Sequence, residues 1–252
     1  MVAEVFSYLP GTLQLLLAAV AVFIGGFLRG FVGFGGALTI IPALALIFTP
    51  KEAVAMHIIM EIPGTLQLLP AAARQSDLRT VLPTLIAIII GMPFGVYLLT
   101  VLDPQPMRIA ISLIVLVVVG LLARNWRYSG HIGPSVMAGI GAIGGLAQGS
   151  TGMGGPPIVT VLMSRRDDID VLRGNILATM AGLIIAAIPM QWAFGILTPK
   201  AIMLGLLAGP IYVLATYAGS RHYRLGGNRF YRATALCVLA AVATASLIAS
   251  LR

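Results

Sequence analysis

The sequence predicts an all-α polytopic membrane protein, with about ten helical segments in two inverted five-segment repeats. Three observations predict it: long apolar runs cut by short polar breaks, a scarcity of charge, and a glycine-rich motif that occurs twice. Of 252 residues, 59% are hydrophobic and only 10% charged, against about 25% charged in ordinary soluble domains. A soluble fold of this length cannot hide so much apolar surface, because the buried fraction grows slowly with size. A bilayer accepts that surface on the outside of the molecule. The net charge is +8. Its positive residues stand between apolar runs without interleaved aromatics, which argues for membrane topology and against nucleic acid as a partner.

Taken in order, the apolar segments fall at 11–28, 36–48, 52–73, 80–101, 107–123, 132–147, 155–164, 173–194, 199–219 and 230–250. A full span needs roughly 20 apolar residues. The second and seventh are too short, and read as half-helices or re-entrant pieces, which need protein or a cavity around them. Thr49-Pro50-Lys51-Glu52 opens the third segment as a capping box, and Thr198-Pro199-Lys200 repeats the Thr-Pro start before the ninth. Pro63-Gly64 is expected to break the third segment. Asp103-Pro104-Gln105-Pro106 ends the fourth and starts the fifth. Glu4 ahead of the first run, with no basic n-region, argues against a cleaved signal peptide. The single cysteine, Cys237, lies in an apolar run and reads as a small packed side chain.

The positive charges set an orientation. The odd-numbered connections hold Arg74 and Arg79; Arg124 and Arg127; Arg165, Arg166 and Arg173; and Arg221, Arg224, Arg229 and Arg232. The even-numbered connections hold only Lys51, Arg108 and Lys200. This bias puts the odd connections in the cytoplasm and both termini on the outer side of a cytoplasmic (inner) membrane, with the lipid bilayer as a partner. Trp126, Tyr128, Tyr223 and Tyr231 fit interfacial anchors, and His131 and His222 read as solvated.

The duplication is the most informative feature. Residues 29–38 read RGFVGFGGAL and residues 148–157 read QGSTGMGGPP, so Gly30, Gly33, Gly35 and Gly36 superpose on Gly149, Gly152, Gly154 and Gly155. Gly95 matches Gly219, and Arg108 matches Arg232. The halves divide as 1–128 and 129–252 within one membrane domain. Five segments is an odd number, so the second half is expected upside down relative to the first. Short, glycine-interrupted segments at matching positions of inverted halves point to a transporter's binding site.

The chemistry follows from the backbone. A glycine-rich turn opening a half-helix presents unpaired N–H groups at the positive end of a dipole, with no side chain to keep an oxyanion away. The anionic head of a substrate is therefore expected between the Gly33–Gly36 and Gly152–Gly155 turns. Arg29 and its neutral counterpart Gln148 precede the two clusters, and Ser150 and Thr151 add hydroxyls to the second. His57 and Glu61 share one face of the third segment, and Asn175 and Thr179 form the matching polar pair. Ionisable groups inside a membrane are candidates for proton coupling or a polar relay. A side chain added at Gly35 or Gly154 is expected to abolish binding, and a similar change at Gly91 or Gly205, inside full-length helices, to act more mildly. No metal-ligand spacing, catalytic triad or nucleotide-binding loop is visible, so no metal, no cofactor and no enzyme activity are expected.

GFVGFGGALTIIPAL and GSTGMGGPPIVTVLM resemble the two signature repeats of the TauE/SafE (TSUP) family of sulfite and organosulfonate exporters. The resemblance extends over nearly the whole chain. It departs where the family tends to carry a third consecutive glycine: Ala37 and Pro156 stand there. It implies export of a small sulfur-containing anion, either sulfite or a sulfonate such as sulfoacetate, by a secondary transporter. A passive small-anion channel is the alternative; a membrane-embedded enzyme or assembly factor would need a denser cluster of reactive side chains.

Overall fold

A computed structural model describes residues 11–32, 35–124, 126, 128–165, 167–224 and 231–251. Gly33, Arg127, Arg166 and Arg229 lie outside the described residues. Among the described residues the secondary structure is helical throughout, in ten helices. They are α1 (Thr12–Val32), α2 (Gly36–Ile47), α3 (Pro50–Gln75), α4 (Leu78–Val101) and α5 (Pro104–Ala123), then α6 (Pro134–Thr151), α7 (Gly155–Leu162), α8 (Ile169–Ala193), α9 (Pro199–Arg224) and α10 (Tyr231–Leu251). Six helices are long and apolar enough to cross a membrane: α1, α3, α4, α5, α8 and α9. α2 and α7 are the short ones, with 12 and 8 residues. Large apolar side chains such as Phe94, Trp192, Leu206 and Tyr217 are more than half exposed, as lipid-facing residues must be. The chain is a multi-pass membrane protein.

The boundaries follow local chemistry. Thr49 and Glu52 form the capping box: the Glu52 N–H donates to Thr49 Oγ1 at 3.3 Å, and the Thr49 N–H donates to Glu52 Oε2 at 3.0 Å. Glu52 also pairs with Lys200 at 2.8 Å, linking the starts of α3 and α9. Asp77 caps α4; the Thr80 hydroxyl and then the Arg79 N–H hold its carboxyl below the usual carboxylate range. Three expectations change. α3 runs unbroken through Pro63 and Pro70, since a membrane helix can have its freed carbonyls satisfied by neighbours. α1 and α6 continue into the glycine motifs, taking in Arg29 and Gln148 through Thr151. Cys237 is exposed on α10.

The helices pack into two compact units. The first comprises Met1–Met60, Asp103–Val119 and Leu197–Arg252; the second comprises Glu61–Leu102 and Gly120–Ile196. Each draws helices from both sequence halves. In the first unit α1 lies against α9 at two glycines. A methyl at Gly30 would strike the Thr216 carbonyl and come within 2.9 Å of the Ser220 nitrogen; one at Gly219 would strike the Phe27 carbonyl and reach 2.9 Å from the Phe31 nitrogen. In the second unit the matching positions make the matching contact between α6 and α4. Gly149 faces the Met92 carbonyl and the Val96 nitrogen, and Gly95 faces the Leu146 carbonyl and the Ser150 nitrogen. The first helix of each half thus packs, backbone on backbone, against the fourth helix of the other. Gly91 and Gly205 are tight too, against Ala142 and Ile59.

The far end of α2 is held by a side chain. Arg108, from the first turn of α5, donates from Nε to the Ala45 carbonyl at 2.6 Å and from Nη2 to the Phe48 carbonyl at 3.1 Å. These groups lie at the C-terminal end of a helix, where carbonyls lack helical partners. One turn along α5, Ser112 Oγ bonds Ser246 Oγ of α10 at 3.0 Å, both fully buried.

Two outcomes follow for stability in detergent. Arg108→Lys keeps the charge but loses the two-pronged donor, and should lower unfolding free energy by about 1.5–3 kcal/mol, read by reversible denaturation. Gly149→Ala should lower the unfolding temperature clearly, whereas Gly139→Ala, where nothing lies within 4 Å of the added carbon, should leave it unchanged or slightly higher.

Candidate functional site

The first glycine turn is built by the end of α1 and the start of α2. Gly35 holds φ at 98°, a left-handed conformation that suits glycine. The first helical backbone bond of α2 runs from the Thr39 N–H to the Gly35 carbonyl, at 3.2 Å. The N–H groups of Gly36, Ala37 and Leu38 precede it and have no carbonyl within the helix to bond. The N-cap residue Gly35 supplies no side-chain cap, and among the described residues no side chain bonds them. Beside the turn stand two polar side chains of the same unit. Arg29 lies in the last turn of α1, its Cβ 3.2 Å from where a Gly36 methyl would be. The Tyr212 hydroxyl of α9 is 3.4 Å from the same point. Tyr212 is buried, and its ring meets the buried His57 of α3 edge-on at 6.4 Å. Sequence reasoning missed Tyr212; its signal was a phenol in mid-helix two residues after Pro210.

The second turn looks alike in sequence but differs in chemistry. Gly152 takes φ 70° and closes α6, its N–H donating to the Gln148 carbonyl at 2.9 Å. The Gln148 side chain folds over the turn, and its Oε1 accepts from the Gly154 N–H at 2.9 Å. Gly154 has no room for a methyl, which would meet the Gly144 carbonyl and sit 2.7 Å from Gln148 Cβ. α7 then begins Gly155-Pro156-Pro157, and the two prolines have no N–H. Ser150 and Thr151 donate their hydroxyls to the Leu146 and Ala147 carbonyls of their own helix, both at 2.8 Å. The donors expected of Ser150, Thr151 and Gly154 are therefore committed internally. Of the first three residues of α7, only Gly155 carries an N–H.

The polar pairs also part company. His57 and Glu61 are both buried on α3. In the second unit Asn175 Oδ1 accepts from the Asp77 N–H at 2.7 Å, tying α8 to the start of α4, and Thr179 donates to the Asn175 carbonyl at 2.7 Å. That pair serves as a tether between α8 and the start of α4. Among the described residues no group of three or more His, Cys, Asp or Glu could hold a metal ion.

The chain matches the family model described as "Sulfite exporter TauE/SafE" over residues 17–246. No curated protein and no solved structure matched it. With ten helices among the described residues, two short glycine-opened ones included, and a family match along nearly its whole length, the chain belongs to the TauE/SafE sulfite exporter family, whose members are membrane transporters and not enzymes.

Proposed function

We propose that this protein is a secondary transporter that exports a small sulfur-containing anion, sulfite or a sulfonate such as sulfoacetate, across the cytoplasmic membrane. The observation that carries this reading is the start of α2: three uncapped N–H groups at Gly36, Ala37 and Leu38, beside Arg29 and Tyr212. Backbone donors at the positive end of a helix suit an oxyanion. They also suit release, since a buried pair of guanidinium groups would form stronger, charge-assisted bonds and hold the cargo longer. In this reading the second turn, through Gly152, Gly154 and Gly155, offers fewer donors than the first, since Gln148 takes the Gly154 N–H and two prolines follow Gly155. An interior-negative potential favours anion exit by about 2.3 kcal/mol per charge per 100 mV.

The halves 1–128 and 129–252 are read as inverted repeats, with both termini outside. The charge bias supports this, and so do the matched glycine contacts of Gly30 with Gly219 and of Gly149 with Gly95. His57 and Glu61 are the proton-coupling candidates, because two ionisable groups buried on one membrane helix are costly without a role.

Counterflow of labelled sulfite and sulfonates into liposomes, with small carboxylates as comparison, tests the transport reading; uptake of none of the sulfur anions would refute it. Gly35→Val should abolish anion binding, since it forces a branched side chain into φ 98° at the donor-bearing turn, whereas Gly209→Val, at an open position, should bind as wild type does. If Glu61 exchanges a proton in the cycle, Glu61→Gln should flatten the pH profile of transport while substrate affinity at one permissive pH survives. A profile unchanged in that variant would leave Glu61 with a structural role.

A further inference from the structure

The carbonyls that end the two short helices are closed in different ways. In the second unit α7 is closed by uncharged groups that follow it in the chain. The Met163, Ser164 and Arg165 N–H groups donate to the Val159, Val161 and Leu162 carbonyls at 2.8, 3.0 and 3.0 Å, and the Ser164 hydroxyl donates to the Thr160 carbonyl at 2.9 Å. In the first unit the Phe48 N–H closes the Leu44 carbonyl of α2 at 2.7 Å. The Ala45 carbonyl, and the Phe48 carbonyl just beyond the helix, accept from the Arg108 guanidinium. Among the described residues no carboxylate pairs with that cation.

The part of α5 that carries Arg108 is itself fixed. Ser112, one turn along, donates to Ser246 Oγ of α10 at 3.0 Å, and the Ser246 hydroxyl lies 3.5 Å from the Pro42 carbonyl of α2. At the start of α5, Gln105 Nε2 donates to the Ser250 carbonyl of α10 at 3.2 Å. The cation is therefore a built-in part of the first unit. It also goes with one of the two helix starts. α2, whose first three N–H groups have no cap from Gly35, ends on a cation. α7, whose start loses donors to Gln148 and two prolines, ends without one. In ion-driven carriers a free cation takes this place: the N-terminal ends of broken helices hold an anionic group, and C-terminal carbonyls coordinate Na+.

We infer that Arg108 stands in for a coupling cation. It fills the place at the end of α2 that an alkali ion fills in such carriers, so an anion binds at the other end, 12 residues and about 18 Å away, without Na+ or K+. The planar fork of arginine suits the task, because it reaches two carbonyls at once. Unlike a bound ion, it neither leaves with the cargo nor follows an ion gradient. Arg108 acts through α2 and touches no cargo, so it is a positioning residue. The inference rests on the transporter reading above and deepens it: the same site works without an alkali ion.

The test measures the affinity of the purified full-length protein for sulfite and ethanesulfonate, supplied as N-methylglucammonium salts. Wild-type affinity should be the same in N-methylglucammonium, sodium and potassium chloride of equal strength. Arg108→Ala should bind about tenfold more weakly or worse, by analogy with the range for hydrogen bonds to charged groups. Millimolar guanidinium should restore most of that loss. Urea, planar and of similar size but neutral, should restore none of it at the same concentration. An arginine with a purely structural role would not make anion affinity depend on a small cation in solution. Wild-type binding that needs Na+ or K+, an Arg108→Ala affinity equal to wild type, or a loss that guanidinium does not restore or that urea restores equally, would overturn the inference. If Arg108→Ala does not fold, Arg108→Gln, which keeps an amide donor and drops the charge, should lose affinity to a similar extent; unchanged affinity overturns the inference. Should neither sulfur anion bind the wild type, the sulfur-anion reading fails by itself, and the cation place is judged without cargo by the unfolding temperature of Arg108→Ala. A rise with millimolar guanidinium that urea does not give upholds it; no such rise overturns it.

Discussion

Inside a bilayer no water replaces a lost backbone hydrogen bond, and each unpaired N–H or C=O costs several kcal/mol. Most of what is distinctive here is an answer to that constraint. Full-length helices satisfy it by themselves. The two short helices, with 12 and 8 residues, are too short to span a bilayer, so their end groups need partners. α2 has its trailing carbonyls bonded by Arg108, while its leading N–H groups are left without a side-chain cap. α7 answers differently: two prolines remove the donors that would otherwise need partners, and Gln148 bonds the Gly154 N–H. The same sequence motif thus ends in one helix start that can accept an anion and one that is largely self-contained.

The glycines do two separate jobs. Gly35 and Gly152 supply left-handed backbone at the turns. Gly30, Gly95, Gly149 and Gly219 remove side chains so that two helices meet backbone to backbone. Contact that close gains dispersion along the whole crossing, the main source of helix association where lipid is as apolar as the protein. The second job is the stricter, since a methyl there meets main-chain atoms that cannot rotate away.

Much of this was legible because it is local. The capping box at Thr49 and Glu52, the Thr198 cap, the short lengths of α2 and α7, and the membrane class all depend on residues near one another in the chain. The doubled motif located both turns. What escaped was tertiary. Arg108 read as a topology charge, and nothing in its neighbourhood shows that it reaches the end of a helix some sixty residues away. Tyr212 looked like an ordinary member of an apolar run. Pro156 and Pro157 were in view, but their effect on donor supply depends on the helix starting at Gly155, and the internal use of Ser150 and Thr151 depends on α6 running to Thr151.

The guanidinium of Arg108 has an effect beyond holding carbonyls. A free helix carries equal and opposite partial charges, of about half an elementary charge at each end, so its field cancels at a distance. Covering the negative end of α2 with a cation upsets that cancellation. Viewed from the Gly36 end, α2 then resembles a lone positive pole, whose potential falls off as the inverse of distance and not as its square. An anion approaching the Gly36 end would feel that attraction before touching any donor.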